Sequence, residues 1–211
     1  YQRAVAILDA LDEADRSVKE LATAPRGLLR VASPMSLGLT DITPAIAEFL
    51  VRHPDVKIEL EMSDRVVDVV REGFDVCIRG AGTLADSTLV AKKLARLQRV
   101  VVGARSYLER AGEPRSPAQL ATHRCLVYSL SSSPTRWTFV KRGAKESVDI
   151  DGPLRVNSSL ALVQAATAGV GLAFVPVLAV RRELAEDRLV PVLREWKGEP
   201  QALYAVYPRH R

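Results

Sequence analysis

The chain has 211 residues, 47% hydrophobic and 26% charged, with a formal net charge of +5. That is the balance of an ordinary soluble globular protein, with enough chain for one large core or two smaller ones. Its longest apolar stretch, Val170 to Val180, is too short to cross a bilayer and is broken by Gly171 and Pro176, which excludes a spanning helix. Lys and Arg are scattered, so the charge reads as a solvated surface rather than a nucleic-acid track. Cys77 and Cys125 match no metal spacing and read as reduced thiols packed in the core of a cytosolic protein.

In chain order, Ala4, Ile7, Leu11, Ala14, Val18 and Leu21 are spaced as a heptad seam. The seam suits a helix pairing with a twin or an amphipathic helix lying on its own domain, and Pro25 ends it. The chain opens at Tyr1 in mid-helix, with no initiator Met or signal pattern, and is expected to be a fragment trimmed at both ends. Leu28 to Ala32 is a short strand. Leu39, Ile42, Ile46, Phe49 and Leu50 then recur at helical spacing, with Pro44 marking a helix start or a kink. His53-Pro54-Asp55 ends that helix. Val56 to Met62 alternates apolar and charged residues, as a half-buried strand does. Val66 to Val70 reads as a short helix closed by Gly73, and Phe74 to Ile78 as a buried strand.

Beyond Arg79, Leu89 to Leu94 and Arg99 to Gly103 read as strands, and the alternation then restarts. Tyr107-Leu108 and Pro117 to Ala121 are short helices; Arg124 to Tyr128, Trp137 to Val140, Ser147 to Ile150 and Leu154 to Val156 are strands. Asn157 with Ser158 is expected to cap a helix through Ala166 that Gly169 ends. Leu172 to Val175 is a strand, and Pro176 suits the first position of the next helix. A last strand, Gln201 to Tyr207, follows Pro200. Alternating strands and helices imply parallel sheets with right-handed crossovers, here an α/β protein of two lobes whose last strand rejoins the first. The expected crossings, near Val102-Gly103 and Glu199-Pro200, would form a hinge.

Several stretches carry a resemblance: Leu29-Arg30-Val31-Ala32-Ser33-Pro34, Arg52-His53-Pro54-Asp55-Val56, Asp75-Val76-Cys77-Ile78-Arg79-Gly80, Cys125-Leu126-Val127, Trp137-Thr138-Phe139, Val156-Asn157-Ser158, and Ala168 to Pro176. In this order and spacing the chain resembles the effector-binding domain of a LysR-type transcriptional regulator. The resemblance implies two Rossmann-like lobes of the type 2 periplasmic-binding-protein kind. Residues 1–24 would be a linker and dimerisation helix, 27–102 with 200–211 the first lobe, and 103–199 the second. It also implies a homodimer, possible tetramers in the full-length protein, and DNA contact only through an N-terminal domain that is absent here. The rivals are a transporter's solute-binding protein and an enzyme on the same plan.

In open α/β sheets ligands gather at the carboxyl ends of strands. Here those ends are Ser33, Pro34, Met35 and Ser36, then Ser63 and Asp64, then Arg79 and Gly80; the second lobe adds Ser129, Asn157, Ser158 and Pro176. The helix starts after Ser36 and after Asn157 offer free N–H groups and partial positive charge, which suits a small anion such as a carboxylate. The plainer reading is that Ser36 and Asn157 only cap helices and that Arg79 pairs with a structural acid. No Gly-x-Ser-x-Gly elbow, His-Glu-x-x-His pair or phosphate loop is present, and His53, His123 and His210 fall in loops or at the end. The expectation is therefore a binding module without catalytic residues, metal or cofactor.

Overall fold

The structure, a computed structural model, describes residues 25–82 and 88–209. The heptad seam lies outside the described residues. The first sheet has the order β2-β1-β3-β13-β4. Strand β1 (Gly27–Ser33) lies parallel to both β2 (Val56–Met62) and β3 (Val76–Ala81), while β13 (Gln201–Pro208) runs antiparallel between β3 and β4 (Leu89–Leu97). The last strand thus returns to the first sheet.

The second sheet is ordered β11-β5-β10-β6-β9. It contains β5 (Arg99–Gly103), β6 (Cys125–Tyr128), β9 (Arg155–Val156), β10 (Leu172–Pro176) and β11 (Val190–Val192). A small antiparallel sheet of β7 (Arg136–Lys141), β8 (Ala144–Asp149) and β12 (Lys197–Gly198) covers one face, where Trp137 and Phe139 pack with Phe174. The first change of sheet falls at Gln98, between β4 and β5, four residues before the crossing expected at Val102-Gly103. Arg99 to Val102 pair with β10 rather than with the first sheet. The second change falls at Glu199-Pro200, between β12 and β13.

The chain from 35 to 52 is one continuous helix. It comprises α1 (Met35–Leu37), a π-helical segment (Gly38–Ile42) and α2 (Thr43–Arg52), with right-handed helical backbone through the joints at Leu37, Gly38, Ile42 and Thr43. Pro44 follows directly on the π-helical segment, and the Thr43 hydroxyl beside it donates to the Gly38 carbonyl at 2.7 Å. Gly38 lies so close to the end of β2 that an added Cβ would stand 2.7 Å from Met62.

One expected helix does not form. Residues 66–68 are irregular and 69–73 make turns instead, with the Glu72 N–H on the Asp68 carbonyl and the Phe74 N–H on the Val69 carbonyl. Val67 and Val69 are buried while Val66 and Val70 face out, a spacing of two that no helix produces. β-Branched residues are poor helix formers, and Arg30 ties the turn down by donating to the carbonyls of Glu72 and Gly73.

In the second lobe, α3 (Arg105–Ala111) and a 3₁₀ turn (Pro117–Thr122) flank the sheet. Ser158, not Asn157, caps α4 (Ser159–Thr167), its Oγ accepting from the Ala161 N–H at 3.4 Å. Pro176 immediately precedes α5 (Val177–Ala185), so it ends β10 and stands one position before the helix proper. Among the described residues no helix is long and apolar enough to cross a membrane.

Both cysteines are buried and free. Burial pushes the Cys77 thiol up, and it raises Cys125 to about 12. Alkylation of either by iodoacetamide at neutral pH should therefore run at least about tenfold slower in the native protein than in urea; equal rates would mark a reactive thiol.

Gly171 yields a second test, because a Cβ there would stand 2.3 Å from the Arg124 carbonyl, which is backbone and cannot swing away. Gly171→Ala should lower stability by about 1–3 kcal/mol, read from urea unfolding.

Candidate functional site

The two main sheets enclose a cavity of about 540 Å³. Its walls come from the carboxyl ends of β1, β2 and β3 on one side, and from β6, β10 and the start of α4 on the other. Of the residues expected from sequence, Ser33, Pro34, Ser36, Ser63, Asp64, Arg79, Gly80 and Pro176 line it. Met35, Ser129, Asn157 and Ser158 do not. Met35 contributes its backbone N–H instead, and the Ser129 N–H bonds to the Val156 carbonyl, extending the β6–β9 pairing. Asn157 is exposed, and the Ser158 hydroxyl is turned into the cap of α4. Their neighbour Ser159, buried at the first position of α4, reaches the wall in their place.

The helix N-termini expected to meet an effector anion face a carboxylate of the protein itself. The Asp64 carboxylate accepts from the Met35 N–H at 2.8 Å with one oxygen and from the Ser159 N–H at 3.5 Å with the other. The Tyr128 phenol lies against the same carboxylate. Burial first, and then that negative charge, push Tyr128 up to about 12.

The cations are distributed unevenly. Arg65 is engaged by Glu61 and Glu72. Arg79 and Arg99 have no carboxylate partner among the described residues, and the Arg79 Nε is buried without a hydrogen bond. Arg99 stacks over the Phe174 ring at 4.0 Å and donates one Nη to the Phe174 carbonyl at 2.7 Å. Burial lowers its pKa to about 10, still cationic at neutral pH. A buried cation without a counter-charge is costly, and a buried donor without an acceptor likewise calls for a partner.

The rest of the wall is largely apolar: Ile78, Leu97, Leu162 and Val175 lie inside, and Val66 and Leu130 stand exposed at the edge. Sequence reasoning missed Arg99, Tyr128, Leu130 and Gln201, all of which line the cavity. Arg99 and Gln201 each follow a change of sheet; the first crossing falls earlier than expected, which hides Arg99, whereas Gln201 opens a last strand that was read only as the return to the first lobe. Tyr128 ends a strand that was recognised, one residue before the position that was chosen.

A second contact crosses between the sheets outside the cavity. Arg181 of α5 donates to both carboxylate oxygens of Asp41, at 2.6 and 2.7 Å. Burial alone would raise the Asp41 pKa, but the hydrogen bonds from Arg181 and Thr40 bring it below the usual carboxylate value. No cluster of metal-ligating side chains occurs among the described residues.

The family model of the LysR substrate binding domain matches residues 22–211. An uncharacterized HTH-type transcriptional regulator of Haemophilus influenzae is 32% identical over the whole chain, which spans 73% of that protein. The uncharacterized HTH-type regulator YhjC of Escherichia coli is 35% identical, again over the whole chain and 71% of the relative. Among solved structures, the CrgA regulatory domain of Neisseria meningitidis superposes with a TM-score of 0.77 at 27% identity, covering 88% of this chain and 90% of that one. Full-length AphB of Vibrio cholerae, at 24% identity, shares the fold with a TM-score of 0.79 over 99% of this chain and 71% of its own. These relatives are transcriptional regulators rather than transporter components or enzymes. The chain belongs to the LysR substrate-binding domain family, the effector-binding part of LysR-type transcriptional regulators.

Proposed function

We propose that the chain senses a small organic anion held in the cavity between its two lobes and does no catalysis. The observation that carries this reading is the pair Arg79 and Arg99, two cavity cations without a carboxylate, one of them with a buried orphan Nε. An acid group bonded to both would supply the missing counter-charge, and hydrogen bonds to a charged group contribute about 1.5–3 kcal/mol each. Ile78, Leu97 and Phe174 would take an apolar body, and about 540 Å³ suits a small molecule. Ser33, Ser36, Ser63 and Gln201 remain for orientation.

The lobes, built from the sequence before and after Gln98 with the last strand returned to the first, would pivot where the chain changes sheet. Binding favours whichever lobe angle makes more contacts with the effector, and so shifts the population towards it. The resemblance implies that this shift reaches DNA through a linker helix and an N-terminal reading domain, with a dimer as the working unit.

Two exposed features support assembly. Strand β2 is an edge of its sheet, with half its backbone pairing unfilled. Beside it, Leu28, Leu39 and Val51 are exposed apolar residues, Val51 by 83%.

Thermal shift or calorimetry with a panel of aromatic and branched aliphatic carboxylates, set against their amides, tests the cavity. Acids should bind and amides should not, and Arg79→Ala or Arg99→Ala should weaken the acids by about ten- to a hundredfold. Equal affinity for acids and amides would end the anion reading.

Sedimentation of a truncation lacking residues 1–22 tests the assembly. A dimer is expected at tens of micromolar, and Val51→Glu should shift it towards monomer, because a charge would replace an apolar contact. A monomeric truncation would leave only the heptad helix to pair the chains.

A further inference from the structure

We infer that Asp64 is a built-in anion: its carboxylate occupies the two helix N-termini that face the cavity and fastens the lobes across it. This rests on the reading above that an organic anion binds in the same cavity, and it determines where that anion's acid group goes. Asp64 follows β2 in the first lobe. The N–H of Met35 opens the continuous helix 35–52 of that lobe, whereas Ser159 and Tyr128 belong to the second. One carboxylate oxygen bonds within the first lobe at 2.8 Å and the other reaches the second at 3.5 Å.

A helix N-terminus carries about half a positive charge, so two of them neutralise one carboxylate. With those positions filled by the protein itself, the uncompensated positive charge that the described residues of the cavity offer an incoming acid is at Arg79 and Arg99. The effector class follows: a compact monoanion with an apolar body, whose acid group meets the two arginines. A second acid group beside Asp64 would find both helix N-termini already occupied and no further positive charge to meet it, and is selected against. The same geometry makes Asp64 a latch in the absence of effector, parallel to the Asp41–Arg181 ion pair outside the cavity.

Chemical replacement of the carboxylate tests this on the full chain. Asp64→Ala should lower the thermal midpoint by about 2–8 °C. Sodium acetate at about 100 mM should restore at least about half of that loss, while sodium chloride at the same ionic strength should not. Should Asp64→Ala fail to fold, Asp64→Ser carries the same test, since its short side chain also vacates the position. An unchanged midpoint, or a loss that acetate does not recover, would overturn the latch.

The double variant Asp64→Ala with Arg79→Ala separates the two readings. Recovery by acetate should persist in it if acetate takes the place of Asp64. Recovery that vanishes with Arg79 would put acetate at the arginines, overturning the built-in anion and leaving the effector reading intact. Conversely, a wild-type protein indifferent to the carboxylate panel would sink the effector reading without touching the acetate recovery.

Discussion

Two backbone crossings, at Gln98 and at Glu199-Pro200, tie one five-stranded sheet to the other. Everything else about the cavity depends on them. The parallel strands of the first sheet end at Ser33, Met62 and Ala81, and by the geometry of a crossover their polar ends all open on the same edge. The second sheet presents β6, β10 and the start of α4 to that edge. Because only two short segments join the sheets, the space between them stays lined by strand ends and helix starts rather than closed by a shared core.

Electrostatics then sorts the residues that reach that space. Helix N-termini at Met35 and Ser159 share one carboxylate, Asp64. Arg65, also on the cavity wall, is already paired with Glu61 and Glu72. The ion pair of Asp41 with Arg181 closes charge across the lobes at the outer side. What is left over is positive, at Arg79 and Arg99. A half-buried guanidinium over Phe174 is tolerated because the ring face and the Phe174 carbonyl offset part of its desolvation, but neither supplies a charge. The cavity is thus complementary to an anion through subtraction, after the protein has neutralised its other charges internally.

Stability is carried mainly away from this space. In the second lobe the sheet is packed on both faces, with Trp137, Phe139 and Phe174 on one side and Leu162, Val163 and Val180 on the other. The first lobe has a smaller cluster around Val69, Phe74 and Val206, and it exposes Leu28, Leu39 and Val51. The first lobe is thus the more exposed of the two, beside an edge strand paired on one side alone.

The two-lobed α/β plan, the family and most of the strands and helices are legible along the chain, the short strands Val190–Val192 and Lys197–Gly198 excepted. Those depend on periodicity, on glycine and proline punctuation, and on motif order, which are local and written along the chain. The same patterns locate the strand ends and with them Ser33, Ser36, Asp64, Arg79 and Pro176, which line the cavity. They mislead at residues 66–73, where a run of valines satisfies a helical pattern but alternate burial of Val67 and Val69 and the hold of Arg30 decide against a helix.

Only the tertiary structure decided which polar groups remain unpaired. That Asp64 meets Met35 and Ser159, that Tyr128 lies on it, and that Arg99 has a ring but no acid are facts between residues up to 95 positions apart. Sequence patterning reports which face a side chain takes; it carries no information on which distant charge will stand within hydrogen-bonding distance.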